Sequence, residues 1–71
     1  MSFYVDMHRC ELEFPPGVHI SNAVKEAKRV SVAHNQTFTF TFNSIKVAVD
    51  KDSDPDDLVE QYLKTLQNLK T

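Results

Sequence analysis

Residues 37–49, TFTFTFNSIKVAV, alternate between apolar and polar side chains on both sides of an Asn-Ser pair. Because strand side chains alternate between the two faces of a sheet, the pattern predicts two β-strands. If Asn43 and Ser44 form a two-residue hairpin loop, all six apolar side chains share one face. The predicted cross-strand pairs are Phe42 with Ile45, Phe40 with Val47, and Phe38 with Val49. Since such a loop needs positive φ at both residues and usually contains glycine, a longer loop is the alternative.

The segment from residue 3 to residue 14 is also apolar at alternate positions, but the phase of the alternation flips across His8-Arg9. A hairpin explains the flip, with Met7 opposite Cys10, Val5 opposite Leu12, and Phe3 opposite Phe14. One long strand with a β-bulge explains it as well. The hairpin is favoured because strands rarely exceed about 10 residues.

Two helices follow from the remaining apolar spacing. The first is predicted from about Asn22 to His34, with Ser21 as its N-terminal cap and Asn35 as its C-terminal cap. The second has Asp54 as its cap and Pro55 at its first position. Its apolar residues recur at spacings of three and four, and they are Leu58, Val59, Tyr62, Leu63, Leu66 and Leu69.

These elements predict one small two-layer α+β domain over residues 1–71, with two helices on one face of an antiparallel sheet of three or four strands. The layout is ββαββα with an N-terminal hairpin, or βαββα if residues 3–14 are one bulged strand. A weak internal repeat, which lays Met7–Cys10 over Phe42–Ile45, favours the first layout. In both, one face of the sheet is open to water.

Composition narrows the classes of function. The chain has 71 residues, a net charge of −2 and one cysteine, so it has no intramolecular disulfide and lacks the basic surplus typical of nucleic-acid binding. Neither a signal peptide nor a stretch approaching the roughly 18 apolar residues of a membrane span is recognisable. The sequence therefore predicts a cytoplasmic protein without a membrane partner.

Sites for metals, cofactors or catalysis are not indicated. An acidic run resembles a calcium-binding loop, but Pro55 and Gln61 occupy the positions of its glycine and its bidentate glutamate. The run, Asp50, Asp52, Asp54, Asp56 and Asp57, instead predicts a helix-capping loop. Cys10 and the histidines lack zinc-site spacing, and a chain with one glycine has no phosphate-binding loop. We expect a protein that is not an enzyme and that uses no cofactor.

Two surfaces are candidates for binding. Lys25, Lys28 and Arg29 lie close together on the first helix, with His34 further along, and form a basic surface. Thr39, Thr41 and Lys46 lie on the outer face of the sheet, together with Tyr4, Asp6 and Glu11. For both surfaces, a solvated exterior is the more common outcome.

The leading hypothesis is a non-catalytic binding protein, an inhibitor or adaptor that contacts a protein partner. Three surfaces are candidates for this contact: an exposed edge strand, which can add a strand from a partner, the Thr-lined sheet face, and the basic side of the first helix. An unpaired edge would also allow a homodimer. The compact chain is typical of small accessory proteins of bacteriophages and mobile elements, although no motif specifies that origin. One alternative is a nucleic-acid-binding module that uses the basic helix surface. Another is a small hydrolase that depends on His8, His19 or His34.

Overall fold

The computed structural model describes residues 3–69, whose elements follow the order ββαββα. They are β1 (Tyr4–Asp6), β2 (Glu11–Glu13), α1 (Ile20–His34), β3 (Phe38–Phe42), β4 (Ile45–Val49) and α2 (Pro55–Leu69). The strands form one sheet in chain order, with α1 packed against β3 and β4 and α2 packed against α1 and β4. The predicted α+β layout is confirmed, and the bulged-strand alternative is wrong.

The hairpin of β3 and β4 has the register that the alternation predicts. Phe42 pairs with Ile45, Phe40 with Val47, and Phe38 with Val49. The loop consists of two residues, since Asn43 and Ser44 have φ values of 49° and 67°, as a type I′ turn requires. The Asn43 side chain also donates a hydrogen bond of 2.7 Å to the Tyr62 hydroxyl, which ties the turn to α2.

The N-terminal hairpin also has its predicted register, with Val5 opposite Leu12. The Phe3 and Phe14 rings lie 5.1 Å apart. Regular pairing ends at Asp6, one residue short of the expected Met7–Cys10 pair. The Asp6 carboxylate accepts hydrogen bonds from the amides of residues 8 and 9, which closes a turn before the ladder can extend.

The two hairpins meet in parallel, so the expectation of an antiparallel sheet is wrong. Glu11 pairs with Thr39 and Leu12 with Phe40, and the Thr39 amide donates to the Cys10 carbonyl at 3.0 Å. The reason lies in the connection between the hairpins. Because α1 carries the chain back across the sheet, β3 enters beside β2 in the same direction. The sheet is therefore mixed.

A single apolar cluster lies between the sheet and the helices. Ala23 and Ala27 of α1 are fully buried, and their small side chains allow the helix to approach the sheet closely. Phe38 and Val49 are the largest fully buried residues of the sheet, each contributing roughly 1.5–3 kcal/mol through burial. Tyr62 anchors α2, with its ring edge-on to that of Phe42 at a centroid distance of 5.7 Å.

The helix ends agree with the prediction at three positions out of four. Asn35 adopts the left-handed conformation at the end of α1, and Asp54 accepts the Asp56 amide at 3.0 Å just before α2 begins at Pro55. Ser21 is wrong as a cap, because α1 begins at Ile20 and His19 precedes it without a side-chain cap hydrogen bond. Ile20 packs against the core, and this contact favours an earlier helix start.

Ser31 is the buried polar side chain of the described core. Its hydroxyl donates to the Val49 carbonyl at 2.8 Å, so α1 is fastened to β4 by a hydrogen bond that water does not reach. Within residues 3–69, neither helix is long and apolar enough to span a membrane.

We expect Ser31→Ala to lower the free energy of unfolding by about 1–3 kcal/mol, because the buried hydrogen bond is lost. Ser21→Ala is the matched control, since Ser21 is exposed in the first turn of the same helix, and it should change stability by less than about 0.5 kcal/mol. Urea denaturation of both variants measures the difference. Equal losses would contradict the assigned roles of the two serines.

Candidate functional site

The basic surface of α1 is largely committed to contacts within the chain. The Lys28 ammonium group donates to the backbone carbonyls of Lys51 and, at 2.7 Å, of Ser53. Lys28 is half-buried, and its hydrogen bonds hold the loop between β4 and α2. This lysine is therefore a structural clamp rather than a free cation.

The other predicted members of the basic surface differ in their contacts. Arg29 bonds the Glu26 carboxylate through Nε and, at 2.6 Å, through a terminal nitrogen. Lys25 is exposed, and its side-chain ammonium group makes no hydrogen bond or ion pair within the described range. His34 lies at the far end of the helix, with its ring 6.0 Å from that of Phe38. Lys28 and Arg29 therefore have partners within the chain, whereas the Lys25 ammonium group has none among the described residues and His34 lies at the C-terminal end of α1.

The acidic run forms a turn and a helix cap. The Asp50 carboxylate accepts hydrogen bonds from the Ser53 hydroxyl at 3.0 Å and the Asp52 amide at 2.9 Å. These bonds hold the pKa of Asp50 below its usual value, and the bond from Ser53 is the largest cause. Because the folded-state pKa is lowered, this contribution to stability is present above the unfolded-state pKa and is lost as the pH falls through the folded-state pKa.

The histidines and the cysteine lie at separate places. His8 is in the β1–β2 turn and His19 precedes α1, and both are exposed, as is His34. The Cys10 thiol donates to the Gln36 side-chain oxygen at 2.8 Å. Among residues 3–69, no group of three or more His, Cys, Asp or Glu side chains is arranged to hold a metal ion.

The predicted polar residues of the sheet do come together on its outer face. Thr41 lies opposite Lys46, with Thr39 two residues away on the same strand. The parallel pairing adds Glu11 beside Thr39, and Glu13, one residue beyond the last pair, lines the same hollow as Thr41. These residues line a shallow hollow of about 360 Å³. Sequence reasoning missed Glu13, although its position next to inward-facing Leu12 points it outward.

The β4 edge is the second feature of this region. β4 is the last strand of the sheet and pairs with β3 alone. In a hairpin with a two-residue loop, the residues that flank the loop exchange both hydrogen bonds, and this pattern recurs at every second residue. Ile45, Val47 and Val49 therefore bond to β3. The amide and carbonyl groups of Lys46 and Ala48 point away from the sheet, where no strand of the described chain lies.

A groove of about 230 Å³ runs beside the β4 edge. Residues 45–48 form one wall, and Leu58, Gln61, Tyr62 and Thr65 of α2 form the other. Within the β4 wall, the side chains of Ile45 and Val47 point to the core side and are apolar, whereas Lys46 points to the outer face. The edge and the groove together offer main-chain hydrogen bonds and a place for side chains.

The β4 edge ends sharply at Asp50. This is the next residue whose backbone groups would point outward, but its amide donates to the Ser53 hydroxyl at 3.1 Å. Its carbonyl accepts the Ser53 amide at 3.2 Å. The free part of the β4 edge is consequently limited to Lys46 and Ala48.

We expect Lys28→Met to lower the free energy of unfolding by about 1–2 kcal/mol, because charged hydrogen bonds to two carbonyls are lost while the aliphatic stem is kept. Lys25→Met is the matched control on the same helix and should cost less than about 0.5 kcal/mol. Urea denaturation provides the comparison. If Lys25→Met destabilises the fold as much as Lys28→Met, the clamp role of Lys28 is wrong.

No protein family matches the chain, and no curated protein or solved structure is significantly similar to it. Its function must therefore be inferred from its own surfaces. They are an outer sheet face of mixed charge, a free β4 edge beside a groove, and a helix on which Lys28 and Arg29 already have partners within the chain.

Proposed function

We propose that this chain is a non-catalytic binding protein, an inhibitor or adaptor, which contacts a protein partner by strand addition at the β4 edge. The observation that carries the proposal is the pair of outward-pointing backbone positions, Lys46 and Ala48, beside the groove between β4 and α2. Strand addition suits this arrangement because main-chain hydrogen bonds supply affinity and adjacent pockets select side chains.

The side chains around the edge indicate the chemistry of a suitable partner strand. On the core side, its residues would lie near Leu58 and Tyr62 and should be apolar. On the outer face, a residue beside Lys46 would gain from a negative charge. Lys46 also guards the edge, since a lysine on an edge strand discourages indiscriminate pairing.

The alternative functions have weaker support. Nucleic-acid binding through the basic helix surface loses strength because Lys28 and Arg29 have partners within the chain. The net charge of −2 adds no general attraction to phosphates. A histidine-dependent hydrolase would need a base placed beside a nucleophile or a second acid, and the three histidines lie on different parts of the fold.

Ala48→Pro is the most direct test of strand addition. Proline removes an amide that points to the open edge and leaves the hydrogen bonds of the hairpin in place. In affinity capture from host lysate with quantification by mass spectrometry, we expect Ala48→Pro to lose at least about 90% of any partner recovered by the wild type. Where recovery is proportional to affinity, such a loss corresponds to at least about 1.4 kcal/mol.

Ala48→Thr is the control for this capture, because it keeps the amide and adds a side chain that suits a strand. It should retain the partner, and circular dichroism should show that both variants are folded. If folded Ala48→Pro recovers the partner as well as Ala48→Thr does, strand addition at the β4 edge is wrong.

Titration with short RNA and DNA at two salt concentrations separates protein binding from nucleic-acid binding. We expect no salt-dependent binding in the micromolar range, because few lysine and arginine side chains of α1 remain available to phosphates. The anisotropy of fluorescently labelled RNA and DNA measures the binding. Binding that weakens steeply with salt and disappears in Lys25→Met would instead support the nucleic-acid module.

A further inference from the structure

We propose that the strand at the β4 edge of the free protein is β4 of a second copy of this chain. The two copies would form a two-fold dimer centred on Val47, with one continuous sheet made from both sets of four strands. This inference rests on the proposed strand addition, and it names the strand that occupies the β4 edge while no other protein is bound there. The argument comes from the register that the free backbone groups permit.

One antiparallel register uses every free group of both edges. Lys46 and Ala48 are the positions of β4 whose backbone groups point outward. Asp50 is the next such position, but its backbone amide and carbonyl are already bonded to Ser53. Pairing Lys46 with the partner's Ala48, and Ala48 with the partner's Lys46, forms two hydrogen-bonded pairs. These pairs provide about four main-chain hydrogen bonds.

The side chains also match in this register. Val47 faces the partner's Val47, and Ile45 faces the partner's Val49, so the core side is apolar throughout. On the outer face, Lys46 faces the partner's Ala48. The edge strand is therefore complementary to itself, as a two-fold interface requires.

The neighbouring registers are worse. A shift of two residues towards the turn places Lys46 against the partner's Lys46, which is repulsive. A shift the other way pairs Ala48 with the partner's Ala48 and points Lys46 at the partner's Asp50. That shift loses hydrogen bonds, because the Asp50 amide and carbonyl are already bonded to Ser53. The register centred on Val47 avoids both costs.

The helices extend the contact beyond the strands. The side of α2 that carries Leu58, Gln61 and Thr65 lines the groove beside the β4 edge, so in this dimer it would meet the same side of the partner's α2. These three side chains are uncharged. Stable interfaces bury at least about 1,200 Å² in total, which is more than short paired strands provide, so the helix contact is needed. We expect a dissociation constant in the micromolar range.

Sedimentation equilibrium of the full chain over a range of concentrations tests the dimer and its register. Ala48→Lys places two lysine pairs across the two-fold axis and should weaken dimerisation by about fivefold. Ala48→Glu places two Glu–Lys pairs there and should strengthen it by a similar factor. Ala48 is exposed and its partner on β3 is the uncharged Thr39, so both variants should remain folded.

The double variant Lys46→Glu with Ala48→Lys checks the register most strictly. It restores opposite charges across the axis only if residue 46 faces the partner's residue 48, and it should regain the affinity that Ala48→Lys loses. Ala48→Pro should remain monomeric because it lacks an edge amide in each copy. Circular dichroism confirms that each variant is folded before its mass is measured.

A wild-type chain that stays monomeric up to millimolar concentration overturns the dimer. Self-association that responds equally to Ala48→Lys and Ala48→Glu overturns it as well. Either result leaves strand addition standing if capture of another protein is still lost in Ala48→Pro. If Ala48→Pro neither dissociates the dimer nor abolishes capture, strand addition itself fails along with the dimer.

Discussion

The sheet has one apolar face, and this constraint shapes the rest of the molecule. Phe38, Phe40 and Val47 need cover on the same side, so both helices must lie there. The chain leaving β2 then crosses that face as α1 and returns in the direction of β2, which makes β3 its parallel neighbour. The same crossover leaves the opposite face open to water and places β4 at the edge.

Period-two alternation was sufficient to predict pairing within each hairpin. Shifting either register by one residue would turn its apolar side chains to water, which is why the pairs Phe40–Val47 and Val5–Leu12 agree with the prediction. Alternation contains no information on the direction of the neighbouring strand, so it could not predict that the two hairpins meet in parallel. The predicted start of α1 was wrong for another reason. The burial of Ile20 outweighs the capping preference of Ser21, so the helix begins earlier.

The candidate site was predicted only in part. Thr39, Thr41 and Lys46 share a face because strand geometry requires it, whereas Glu13 joins them only through the parallel contact. The spacing on α1 indicated that Lys25 and Lys28 lie near each other. It could not indicate that Lys28 reaches carbonyls of a loop that is distant in sequence, because long-range partners of a flexible side chain are set by tertiary packing.

The Lys28 contact has a consequence for the β4 edge. Lys28 holds the carbonyl of Ser53, and Ser53 in turn occupies the backbone groups of Asp50. The loop is thereby locked in the conformation that ends the free edge after Ala48. Without the lock, Asp50 would offer a third outward-pointing position and a negative charge opposite an incoming lysine. Lys28, which the sequence predicts to be part of a basic surface, thus restricts the length of the β4 edge, and with it the register in which a second strand can bind.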